Sequence, residues 1–286
     1  MLKLKQFSEQ NLSQAEQDIL STPEEEFDNI YTDDEFLYNI MEKTKNKEVF
    51  VKCMNHVLIE FLLEKVTNPK TSQEMIFKLT LHPHSSIQFA ILRREDVTEK
   101  LLKQMIENFA DEPIIEARWH IINHQKMDEP TLYDLTDCNN NQVLCNILLT
   151  NKTSRRIIKK LQNSTDEEVR TVAKVRDTET DANYIGKVIR REIRRADTTE
   201  CDDISGFNYL QKSYVINDIL EGALRNPSLS SELVSLFKRF TKTTALTLII
   251  PHQNVSEELL DYYYKKGDDD VKKAVFERRK KEEQMH

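Results

Sequence analysis

Apolar residues recur along this chain as an adjacent pair followed by a third one turn later, each run headed by a short polar residue. In NVSEELLDYYYKKG (254–267), Ser256 precedes Leu259, Leu260 and Tyr263, the i, i+4 spacing of a helix face turned to a core. Ser at the head of such a run is an N-cap, because its hydroxyl accepts a bond from a free N–H of the first turn. Glu257 and Glu258 then lie at the positive pole of the helix dipole. The same grammar occurs in TSQEMIFKL (71–79), VTEKLLKQM (97–105), TSRRIIKKL (153–161) and LSSELVSLF (229–237). Looser copies are EPTLYDL (129–135), DANYIGKV (181–188) and GFNYLQKS (206–213). Alignment puts Ser72, Thr98, Glu129, Ser154, Asp181, Gly206, Ser230 and Ser256 in one column, and the columns three and four residues later are apolar in every copy. The spacing averages about 26 residues, within the range that marks solenoids and arrays.

A second amphipathic element lies between these runs: SSIQFAILRRED (85–96), PIIEARWHIINH (113–124), NQVLCNILLTNK (141–152), DEEVRTVAKVR (166–176) and DDDVKKAVFERR (268–279). The unit is helix–loop–helix, too short to bury its own apolar face, so stacking on neighbours must bury it. Within the last copy, Gly267 is expected as a C′ glycine at positive φ after Lys265 and Lys266, with Asp268–Asp270 opening the next helix. The charged end, ERRKKEEQMH, is expected to seal the stack.

DEEVRTVAKVR and DDDVKKAVFERR, each joined to a capped S/T-x-E-x-L-L helix, resemble variant leucine-rich repeats and short HEAT-like repeats over roughly residues 46–281. The resemblance implies an all-α fold, a right-handed α-solenoid of about eight helix–loop–helix repeats, and no particular activity. It also implies that Arg170 and Lys272 belong to an inter-repeat ladder. The N-terminal cysteine cluster that some variant leucine-rich repeat proteins use for an iron–sulfur centre has no counterpart here.

Composition agrees with helices: 4 Gly stand where average usage of roughly 7% would give about 20. No stretch reaches the roughly 18 apolar residues of a membrane span, and MLKLKQFSEQ lacks the apolar core of a secretory signal. Cys53, Cys138, Cys145 and Cys201 are scattered, as reduced thiols and not as a zinc site or disulfide framework. A cytoplasmic protein without cofactors follows. The net charge of −8 is concentrated at the N-terminus, where residues 1–45 hold 4 Lys/Arg and 11 Asp/Glu. Helices are expected there at SQAEQDIL (13–20) and TDDEFLYNI (32–40), as an acidic cap or arm, and residues 282–286 as a disordered tail. ADTTECDDIS (196–205) is expected to be a loop within the array.

The sharpest charge pattern is GKVIRREIRRA (186–196). Lys187, Arg190, Arg191, Arg194 and Arg195 share one helical face, opposite Ile185, Val188, Ile189 and Ile193. Arg in such numbers suits bidentate binding of carboxylate or phosphate. The plain alternative is a solvated face neutralised by Glu192, Glu200, Asp202 or Asp203. Arg155, Arg156, Lys159 and Lys160 occupy the equivalent helix one unit earlier, and the two clusters would form a basic stripe if they faced the same way. His120 and His124 have the i, i+4 spacing of a metal pair but no third ligand, so they read as structural or surface histidines; HPH (82–84) reads as a turn and Trp119 as core. No phosphate-binding Gly loop or nucleophile elbow is present.

The expected function is a non-enzymatic scaffold binding a protein or peptide. Nucleic acid held by the two clusters is the alternative, followed by an enzyme resembling the HEAT-like alkylpurine DNA glycosylases.

Overall fold

Eight short polar side chains each bond the backbone N–H three residues on, at 2.9–3.4 Å: Asn46, Ser72, Thr98, Asp128, Ser154, Asp181, Ser230 and Ser256. The residues three, four and seven positions after each cap are buried, none more than 8% exposed apart from the half-buried Tyr184. Cap chemistry thus fixes where a helix starts, and that start fixes which three side chains face inward.

The computed structural model describes residues 12–108, 115–198, 217–238, 240 and 242–284. The fold is all-α, with no strand among the described residues. The helices are α1 (Gln14–Ser21), α2 (Glu24–Ile30), α3 (Asp34–Lys43), α4 (Lys47–His56), α5 (Ile59–Thr67), α6 (Gln73–Leu79) and α7 (Ser85–Leu92). They continue with α8 (Glu99–Asn108), α9 (Ile115–Asn123), α10 (Glu129–Leu135), α11 (Asn141–Leu149), α12 (Arg155–Leu161) and α13 (Glu167–Arg176). Last come α14 (Ala182–Thr198), α15 (Asp218–Leu224), α16 (Ser231–Ser235), α17 (Lys242–Thr244, running into a π turn at Ala245–Ile249), α18 (Glu257–Lys266) and α19 (Asp269–Glu283). The chain divides into two compact units, Met1–Thr131 and Leu132–His286.

In the first unit α1 and α3 pack on α4, and α5 packs on α7. Ile19, Phe27, Leu37 and Met41 from the acidic N-terminal helices are fully buried or nearly so. The Lys78 ammonium, itself inaccessible, donates to the carbonyls of Met41, Glu42 and Thr44 at 2.9–3.1 Å and so caps the end of α3. In the second unit α13 packs on α11, α12 and α15, and α18 on α19. Gly222 lets α15 approach α13, since a β-carbon there would lie 3.1 Å from Val172.

The caps revise the sequence alignment in three places. Asn46, which heads KEVFVKC, belongs in the column. The cap in the third unit is Asp128 and not Glu129, because a carboxylate of that length reaches the Thr131 N–H at 2.9 Å. The Gly206 copy, the third, lies outside the described residues and so leaves the column of described caps. Asn226 donates to the carbonyls of Val175 and Asp177 (2.8 and 3.1 Å), six and four residues before the Asp181 cap. Arg94 reaches Val66 and Asn68, six and four residues before Ser72, in the same way. The turn before Ser230 is thus bonded directly to the turn before Asp181.

These bonds are part of a ladder at the turn before each cap. Asn68, His124, Thr150, Asp177, Asn226 and His252, all four residues ahead of a cap, accept from the N–H two residues on. His252 then contacts the Asn226 carbonyl at 3.2 Å, and Arg176 donates to Thr150 at 2.9 Å. Two residues ahead of the cap, Lys126 and Asn254 each bond the same pair of carbonyls in the preceding unit. The expected ladder at Arg170 and Lys272 is not seen among the described residues: Arg170 turns back to Ser164 and Thr165 in its own loop, and the bond given for Lys272 is that of its backbone N–H to the Asp268 carbonyl.

Other expectations shift locally. Gly267 is extended (φ −76°, ψ 161°) and is needed for space, since a β-carbon would lie 2.6 Å from the Tyr263 carbonyl. Trp119 is half-buried while Ile121 and Ile122 fill the core. Helix α14 takes in residues 196–198 of the expected loop, and α19 reaches Glu283 within the expected tail.

Candidate functional site

Helix α14 departs from its counterparts. The seven other helices headed by the aligned caps span five to ten residues, whereas α14 spans 17; outside that column only α19, at 15 residues on its Asp268 cap, is comparably long among the described helices. It starts on the Asp181 cap, buries Ile185, Val188 and Ile189 against the unit, and then continues beyond the length its unit needs. Gly186 allows this docking, since a β-carbon there would stand 3.2 Å from Leu233 and 3.0 Å from the Arg190 guanidinium.

The five predicted cations of α14 come together. Lys187, Arg190, Arg191, Arg194 and Arg195 are all exposed and line one open surface recess of about 510 Å³. Their main counter-charge is Glu192, 3% exposed and held from below by Asn217 at 3.3 Å. Its carboxylate accepts from Arg191 Nε at 2.8 Å and from Arg195 at 3.3 Å. This ties two of the guanidinium groups to one buried carboxylate. Arg190 stands 3.6 Å from the exposed Glu232, and Lys187 and Arg194 have no ion pair among the described residues. Five cations on this face outnumber Glu192 and Glu232, the carboxylates paired with them above, and Arg is less hydrated than Lys, so exchange of water for an oxyanion is favoured. Glu200, Asp202 and Asp203, the other expected neutralisers, lie outside the described residues.

The α12 cluster is built differently. Arg155 pairs with Glu179, Lys159 with Asp177 (2.6 Å) and Glu179 (3.2 Å), and Lys160 with Asp137 (2.7 Å). Arg156 stacks 3.7 Å above the Tyr133 ring, where Lys160 also sits. The bond from Arg155, then that from Lys159, holds the Glu179 carboxyl below its usual range. All four side chains are committed within the second unit, and α12 packs on α11 and α13 whereas α14 packs on α13 and α15.

Glu168 was not singled out by the sequence, being one acid in a capping run. Burial, then the charges of Asp218, Asp166 and Glu192, raise its carboxyl pKa. The buried Asn146 Nδ2 has no hydrogen-bond partner among the described residues. His120 packs edge-on to Phe89 (5.1 Å) and His124 serves its turn, so neither is arranged as a metal ligand. No group of three or more His, Cys, Asp or Glu among the described residues could hold a metal ion, and no described helix is long and apolar enough to cross a membrane. Burial pushes the Cys53 thiol to about 12, which makes it an inert core group.

No family model, curated protein or solved structure matches this chain.

Proposed function

We propose that the chain is a right-handed α-solenoid of the variant leucine-rich or short HEAT-like kind, acting as a cytoplasmic, non-enzymatic scaffold that holds an acidic segment of a protein partner on α14. Eight caps in register and a repeated carbonyl ladder support the solenoid, because such units bury their apolar faces only by stacking. One observation carries the binding site: the one lengthened helix among those headed by the aligned caps is the one whose exposed cations share a recess. Elaborations of one repeat commonly form the binding face.

An acidic peptide fits better than a duplex. From Lys187 to Arg195 the helix advances only about 12 Å, and the α12 cations that would extend the contact are already paired. Nucleic acid is the second reading, favoured by the guanidinium groups, which meet phosphate as well as carboxylate.

The test is titration of a fluorescent oligo-glutamate peptide and of single- and double-stranded DNA and RNA at about 50 and about 300 mM salt. Wild type is expected to prefer the peptide, and an Arg190/Arg191/Arg194/Arg195→Glu variant to lose at least about tenfold in affinity, roughly 1.4 kcal/mol or more. Tighter, steeply salt-dependent binding of nucleic acid would transfer the site to the second reading. Equal binding by the variant and wild type would remove α14 from both.

A further inference from the structure

The acidic helices α2 and α3 and the start of α5 expose apolar side chains. Five large hydrophobic residues are conspicuously exposed among the described residues, and three of them sit together on the first unit: Ile30 (56%), Phe36 (41%) and Leu58 (62%). The Phe36 ring lies parallel to Tyr31 at 6.1 Å, beside Ile30 in the chain, and the Leu58 N–H donates to Asp34 at 3.1 Å. The end of α2, the first turn of α3 and the start of α5 are thus brought side by side, each carrying one exposed apolar side chain. Single exposed hydrophobics are ordinary, but a group on adjacent elements marks a contact surface.

The rim is of one sign. Residues 24–36 hold seven acids and no Lys or Arg. Glu24 and Asp28 engage His56, and Glu35 engages Lys65, which belong to the fold itself. Glu25, Glu26 and Asp33 make no ion pair among the described residues, and Glu26 lies one turn before Ile30 on the same face of α2. A carboxylate rim around an apolar centre complements cations flanking apolar anchors, and it opposes both an acidic partner and the phosphate surface of a membrane or nucleic acid.

We propose that this surface docks a basic amphipathic helix of another protein, whose Leu or Phe side chains cover Ile30, Phe36 and Leu58 while its Lys or Arg residues meet Glu25, Glu26 and Asp33. The site is independent of α14 and opposite to it in charge, so the scaffold would hold two partners of different chemistry.

The test uses the full chain and a labelled peptide of about 14 residues, with Leu and Phe at i, i+3, i+4 and i+7 and Lys elsewhere. Anisotropy is read at about 50 and about 300 mM salt. A Phe36→Ser/Leu58→Ser variant, both positions being exposed, should keep the wild-type circular dichroism and bind at least about tenfold more weakly. Glu25→Gln/Glu26→Gln should weaken binding severalfold and flatten its salt dependence, and the α14 charge reversal should leave it unchanged. A peptide with Ser for Leu and Phe should bind poorly. Equal binding of that peptide, or no effect of the Phe36/Leu58 substitutions, overturns the proposal. So does sedimentation showing that unliganded wild type dimerises and the Phe36/Leu58 variant does not, since a second copy would then own the surface.

Discussion

His82 and His252 are buried as neutral rings that accept a backbone N–H through Nδ1, from His84 and Asn254 respectively. Burial, then the charge of His84, lowers His82 to about 4, and burial likewise lowers His252. The folded-state pKa lies below the usual value of 6.5, so stability is complete above 6.5. As pH falls from there, the unfolded chain takes up protons that the native rings refuse, and stability is lost progressively down to about 4. For His82 the loss is at most about 3 kcal/mol at 1.36 kcal/mol per pKa unit. Urea titrations from pH 7.5 to 4 should show this slope, and His82→Asn, which keeps an acceptor for the turn, should flatten it. An unchanged slope in His82→Asn would show that the ring is protonated in the native state. Neither histidine betrays this in the sequence, because a turn acceptor is defined by the N–H it meets and not by its residue type.

Helices were legible where a short polar residue and an apolar pair coincide, since capping and burial are both local in sequence. The register was less so: Asp128 and Glu129 are adjacent acids, and only reach separates the cap from the first helical residue. The ladder was not legible, because Asn, Arg and His meet the equivalent carbonyl four residues before a cap, and Lys and Asn the pair nearer the cap, by different atoms. For the same reason the five cations of α14 could be grouped from spacing alone, whereas the neutralisation of α12 depends on Asp137, Asp177 and Glu179, which lie outside that helix. Lys78 is the extreme case, a helical lysine whose sequence gives no hint that it is inaccessible. It replaces the water that would otherwise satisfy the last carbonyls of α3. Lys78→Met keeps the volume and removes three donors, leaving acceptors unsatisfied in a dry site. The expected cost is about 2–4 kcal/mol in urea unfolding, with the amides at the end of α3 exchanging faster than those of α8. A loss below about 0.5 kcal/mol would mean that water enters and replaces the ammonium.

Across the whole chain, energy in a stacked array is a sum of local and nearest-neighbour terms, so a perturbation should stay near its origin. The molecule carries its own reporter for this. Trp119 is the one tryptophan and belongs to the unit Met1–Thr131, whereas circular dichroism at 222 nm reports helices of both units. Asn226 lies in the second unit, fully buried, and its amide holds the carbonyls of Val175 and Asp177. Asn226→Ala removes both bonds and the acceptor for the Ser228 N–H, at an expected cost of about 2–3 kcal/mol. In urea the dichroism transition should move to lower concentration and broaden, while the Trp119 emission midpoint stays where wild type has it. If both probes shift by the same amount, the chain unfolds as one cooperative body, and the additive picture of an array fails for it. If they separate, the two binding surfaces proposed above rest on regions that can be destabilised one at a time, and Asn226→Ala should weaken acidic-peptide binding at α14 near its own unfolding midpoint while leaving basic-peptide binding at α2 and α3 intact.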